Sequence, residues 1–221
     1  MFGLDDHIAT LSHGGSLLVV LLVATLLGLR HATDPDHIAA VSTLVASGRE
    51  RARRRAAALG AWWGAGHALT LVVFGVPILV FEAYLPDAVQ RGAETAVAAL
   101  IVYLAMRLLV RHRHRHEPGR HDVRTPLTAF GIGLVHGMGG SAGVGVLLLA
   151  AIPSTPLAVA SLGVLAVFTA VSMTVLTTGF GTALAARRGQ LVAAAPALGL
   201  ASLVFGCWYA AAAWSLLPYP V

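Results

Sequence analysis

An all-α bundle embedded in a membrane is the fold class this sequence predicts, and three observations carry the prediction. Hydrophobic residues make up 57% of the chain and charged residues only 11%, against roughly 25% charged in an ordinary soluble domain. The apolar residues gather into runs long enough to cross a hydrocarbon layer of about 30 Å, which takes about 20 residues of helix. Those runs, such as Ser16 to Leu29, do not alternate apolar with polar residues as the strands of a membrane barrel do. Helices are the remaining solution, because a helix satisfies its own backbone groups where water is absent.

About six spans follow in order: 16–46, 56–81, 94–110, 126–152, 157–184 and 191–217. Every basic side chain is arginine, and the formal charge is +5. Such a charge can signal nucleic acid, but its placement here excludes that partner. Arg49, Arg51, Arg53, Arg54 and Arg55 fill the first break, Arg111, Arg113, Arg115, Arg120 and Arg124 the third, and Arg187 and Arg188 the fifth. The second break, around Glu82, Asp87, Arg91 and Glu94, is acidic on balance, and the fourth, Ile152 to Pro156, is uncharged. The positive-inside rule puts the arginine-rich breaks in the cytoplasm. Both termini are then outside, in a multi-pass protein of the bacterial inner membrane with the lipid bilayer as its partner. The first residues carry Asp5 and Asp6 and no positive cluster, which argues against a cleaved signal peptide. Cys207, the single cysteine, lies in an apolar run and reads as a small packed residue.

Residues 1–221 read as one membrane domain, and an internal repeat divides it. Gly28, Leu29, Arg30 and His31 open a polar interruption in the first span, and Gly133, Leu134, Val135 and His136 open one in the fourth. Two halves, 16–110 and 126–217, joined by a cytoplasmic loop at 111–125, each hold three spans. An odd number of spans makes the halves enter the membrane in opposite directions, the inverted plan of many secondary transporters.

The chemistry gathers in Leu26 to Val41, where Arg30, His31, Asp34, Asp36 and His37 interrupt an apolar run. Ionisable groups in a span are costly and mark an ion or substrate path. On a continuous helix His31, Asp34 and His37 share one face while Asp36 points elsewhere. Pro35 has no N–H to offer the carbonyl of His31, so a kink or unwinding is expected there, and it can turn Asp36 toward the same centre. Asp34 and Asp36 also suit the start of a new helix near Pro35. Imidazoles with carboxylates form a borderline nitrogen and oxygen set that suits nickel, cobalt or zinc.

His67 follows Gly64 and Gly66, and His136 sits among Gly131, Gly133, Gly137, Gly139 and Gly140; both join the candidate set. Met138 reads as packing. His112, His114, His116 and His121 alternate with arginines in a cytoplasmic loop that can hold metal weakly or serve as plain charge. His7 and His13 are candidates for capturing a cation outside. Thr169, Ser172, Thr174, Thr177 and Thr178 read as interhelical hydrogen bonding.

The segment RHATDPDHI resembles the signature of the nickel/cobalt transporter family: a histidine, four residues, then Asp-His, in an early span. The resemblance implies that His31, Asp36 and His37, with Asp34, serve metal uptake, and the stretch around His67 is similar to the family's second-helix motif. In the second half, LVHGMGGSAG is more similar to the short membrane proteins linked to urease maturation and to related nickel permeases. It leaves open whether the second half supplies a direct ligand. The implied function is a carrier of Ni2+ or Co2+ as transported substrate, without an organic cofactor, and nickel-enzyme maturation proteins are the implied partners. The alternatives are metal efflux, an accessory protein delivering nickel, and an intramembrane metalloenzyme. The last lacks HExxH, and there is neither a phosphate loop nor any lysine for nucleotide hydrolysis.

Overall fold

The computed structural model describes residues 17–46, 53–81, 86–113, 125–139, 141–186 and 188–218. The histidines His7, His13, His114, His116 and His121 and most of the arginine-rich breaks lie outside these residues. Every regular element described is a helix: α1 Leu17–His31, α2 Pro35–Ala46, α3 Arg53–Phe81, α4 Asp87–Arg113, α5 Pro126–His136, α6 Ser141–Ala150, α7 Thr155–Ala186 and α8 Arg188–Ala213.

Four of these are long and apolar enough to cross a membrane, α3, α4, α7 and α8, and α1 with α2, bent by 45° at their break, is apolar enough to form a broken span or a re-entrant loop. The break is where Pro35 was expected to make one. Thr33 N–H donates to the Arg30 carbonyl at 2.8 Å and Asp34 N–H to that of His31 at 3.2 Å, which closes α1. Ile38 N–H donates to the Asp34 carbonyl at 3.0 Å and opens α2 with Pro35 in its first turn, where a missing N–H costs nothing.

The segment 126–152, expected as one span, is two short helices. Thr125 caps α5, its hydroxyl accepting from Thr128 N–H at 3.1 Å, and Pro126 follows. Gly137 N–H bonds the Gly133 carbonyl at 2.9 Å and ends the helix. The third span begins at Asp87, not Glu94, about two turns earlier than expected. Glu94 is thereby corrected from an outer break to a buried position within α4, where the Gln90 amide donates to its Oε1 at 3.2 Å.

The long helices α3 and α7 form the heart of the bundle. A methyl group on Gly60 would lie 2.8 Å from Thr177 Cβ, and one on Gly75 would lie 2.8 Å from Leu162 Cδ2. As the numbers rise along α3 they fall along α7, so the two helices run antiparallel. Helix α1 packs on α7, α5 on α3, and α4 on α8. The approach of α5 to α3 is at backbone distance: a methyl on Gly133 would strike the Trp63 carbonyl, and one on Gly66 that of Phe130. The outer surface is apolar, with Leu18, Leu22 and Leu26 on α1 and Val167, Val171 and Val175 on α7 all exposed. Cys207 is exposed as well, so the expected packed cysteine faces outward. This surface fits a multi-pass membrane protein, since an aqueous solvent would penalise it.

Candidate metal centre

Four buried histidines from four helices meet at the break in the first span. His31 ends α1, His37 lies in the first turn of α2, His67 is midway along α3, and His136 ends α5. His37 is the hub. Its ring centroid lies 4.6 Å from that of His31, 5.1 Å from that of His67 and 4.5 Å from that of His136.

The donor atoms form two overlapping sets. One ligand atom each from His31, His37 and His67 lie within 4.8 Å of one another, and so do one each from Asp36, His37 and His136. Atoms bound to one borderline divalent ion at about 2.1 Å are about 3–4 Å apart, so each set is close to the size of an ion's shell. His31 Nε2 and His67 Nε2 are 2.8 Å apart. Asp36 Oδ1 is 3.1 Å from His37 Nδ1, and Asp36 Oδ2 is 3.4 Å from His136 Nε2.

Buried polar atoms are nearly always hydrogen-bonded, and each exception asks for an explanation. Among the described residues His37 Nε2, His67 Nδ1 and His136 Nδ1 are buried without a hydrogen-bond partner, and Asp36 Oδ2 and His136 Nε2 have only each other, at 3.4 Å. A cation that accepts lone pairs from imidazole and carboxylate accounts for these unpartnered polar atoms better than apolar packing does. The donor chemistry, nitrogen-rich with one carboxylate, fits a borderline transition metal.

The expected residues divide by position. His31, Asp36, His37, His67 and His136 come together, and the bend at Pro35 brings Asp36 in, as the sequence suggested. Asp34 belongs to neither donor set. It stands behind His31, with Oδ2 3.1 Å from Nδ1, where a carboxylate fixes an imidazole's orientation and raises its basicity as a ligand. Met138 is partly buried just past His136. His112 lies near the far end of α4.

Trp63 was missed. It is fully buried, and its ring centroid lies 5.8 Å from that of His37 and 5.9 Å from that of His136. Its indole excludes water from one side of the centre. The signal was present: Trp63 precedes His67 by one helical turn, and such residues share a face.

No protein-family profile matches the chain, and no solved structure matches it. A curated relative does, "Urease accessory protein UreH" of Bacillus sp. (strain TB-90), 30% identical over 149 residues. The match takes in 62% of this chain, which spans 64% of the relative's length. The chain is thus similar to a urease accessory protein over 62% of its length, and the expected resemblance to urease-linked membrane proteins has a curated counterpart.

Proposed function

We propose that the protein is a secondary carrier that moves Ni2+ or Co2+ into the cell across a bacterial inner membrane. One observation supports this above the others: four buried imidazoles and a carboxylate, several of their polar atoms unpartnered, converge inside an apolar bundle. Ionisable groups at such a depth are expensive unless they serve an ion. The cation exchanges its water for His31, His37 and His67, and for Asp36 and His136. His37, shared by both sets, lets the ion pass from one to the other without losing every protein ligand. Asp34 holds His31 in place.

The urease accessory relative favours nickel as the substrate and a role in supplying a nickel enzyme. Import is the direction that serves such an enzyme.

The carrier is a 3+3 inverted repeat, with α1 to α4 as one half and α5 to α8 as the other. The register that carries Gly60 onto Leu162 also carries Gly75 onto Thr177, and these positions meet crosswise, Gly60 with Thr177 and Gly75 with Leu162. A two-fold axis through the α3–α7 crossing produces such a pairing. Each half also begins with a broken helix whose first segment ends in a ligand histidine, His31 or His136.

Radiolabelled nickel uptake into proteoliposomes tests the reading. His31→Ala and His37→Ala are expected to lower uptake at limiting nickel by about tenfold or more. Wild-type uptake by both variants would refute it.

A further inference from the structure

We infer that Thr169 is the second half's counterpart of His67, and that its hydroxyl is a neutral oxygen on the cation path, binding the ion or its last water. The inference rests on the carrier reading and adds to it a residue from α7, a helix that otherwise gives the centre nothing.

The placement comes from contacts. In the register that pairs α3 with α7, Trp63 corresponds to Leu165, His67 to Thr169 and Thr70 to Ser172. These pairs meet the same surroundings in the two halves. A methyl on Gly133 would strike the Trp63 carbonyl and lie 2.9 Å from the His67 nitrogen; one on Gly28 would lie 2.7 Å from the Leu165 carbonyl and 3.0 Å from the Thr169 nitrogen. Thr70 donates across to α5, at the Leu134 carbonyl, over 3.0 Å, and Ser172 donates across to α1, at the Gly28 carbonyl one residue before Leu134's counterpart Leu29, over 3.0 Å. His136 follows Gly133 by three residues, as His31 follows Gly28. Thr169 therefore stands to α1 as His67 stands to α5, at the α3–α7 crossing.

The hydroxyl itself is the second observation. Threonines in apolar helices usually donate back to a carbonyl of the preceding turn, and Thr174, Thr177 and Thr178 do so at 2.6–2.7 Å. Thr169 is fully buried, yet its Oγ1 has no hydrogen-bond partner among the described residues. An apolar helix gains nothing from such a group, and valine would fill the space without the penalty. A hydroxyl oxygen binds a divalent cation weakly and adds no charge. Opposite a nitrogen-rich set, it completes a shell while leaving the ion free to go.

The test compares Thr169→Val, which keeps the shape, with Thr169→Ser, which keeps the oxygen, and Thr169→His, which copies the first half. Each is reconstituted in proteoliposomes beside wild type and His67→Ala. Nickel uptake at limiting concentration should fall about tenfold with valine and stay near wild type with serine. The histidine variant, loaded with nickel, should show one more imidazole in its X-ray absorption spectrum and a slower turnover. Unchanged uptake by the valine variant, or an unchanged nickel shell in the histidine variant, overturns the assignment of Thr169. If His67→Ala also transports normally, the carrier reading falls with it; if His67→Ala fails, only the Thr169 inference is lost.

Discussion

In the proposed carrier, Asp34 and His31 divide the work of a ligand between two side chains. The carboxylate oxygen 3.1 Å from His31 Nδ1 orients the ring whose other nitrogen meets His67. Replacing Asp34 by asparagine keeps the shape but removes the charge. The expected result is an apparent nickel affinity about 10–100-fold weaker, seen as a higher KM in uptake with the maximal rate little changed. An equal fall in KM and maximal rate would place Asp34 elsewhere in the cycle. Trp63 is a different kind of neighbour, since an indole has no lone pair to give a metal; its part is to keep the centre dry.

At the scale of elements, the close approach of α5 to α3 sets the position of His136 against His37. Gly133 has no room for a side chain beside the Trp63 carbonyl. Gly133→Val should therefore cost at least about 1–3 kcal/mol of stability, read from thermal unfolding in detergent. Gly92 in α4 is the contrasting case, because a methyl there meets nothing within 4 Å. Gly92→Ala should be neutral or stabilising by about 0.5–1 kcal/mol. Much of this architecture was legible in the sequence. Long apolar runs gave α3, α7 and α8 to within a few residues, and Pro35 marked the break that aims Asp36. The start of α4 was misplaced because Asp87, Arg91 and Glu94 read as loop charge, although one turn-spaced face of a helix can carry them. The place of Asp34 behind His31 was not legible. On a regular helix it shares the face of His31 and His37, and only the turn at 32–34 separates support from ligand.

For the whole molecule, the arginine placement predicts an orientation that has a direct test. With Cys207 replaced by serine, a single cysteine at Ser47, in the first arginine-rich segment, should react with a membrane-impermeant thiol reagent only from the cytoplasmic side. One at Ser154, which is exposed between α6 and α7, should react only from outside. The opposite pattern would refute the proposed orientation. The exposed apolar surface needs no partner subunit to explain it, since lipid covers such a surface without penalty.

Two imidazole nitrogens 2.8 Å apart, as in His31 and His67, cannot both be bare or both hold hydrogen. With uncharged rings, Asp34 draws the hydrogen of His31 to Nδ1, so His67 must keep its own on Nε2. In the proposed carrier, that hydrogen occupies the seat an arriving ion needs. Filling the seat requires His67 to surrender it or to switch tautomer toward Nδ1, which has no acceptor among the described residues. In the proposed carrier, each loading event begins by displacing this hydrogen bond.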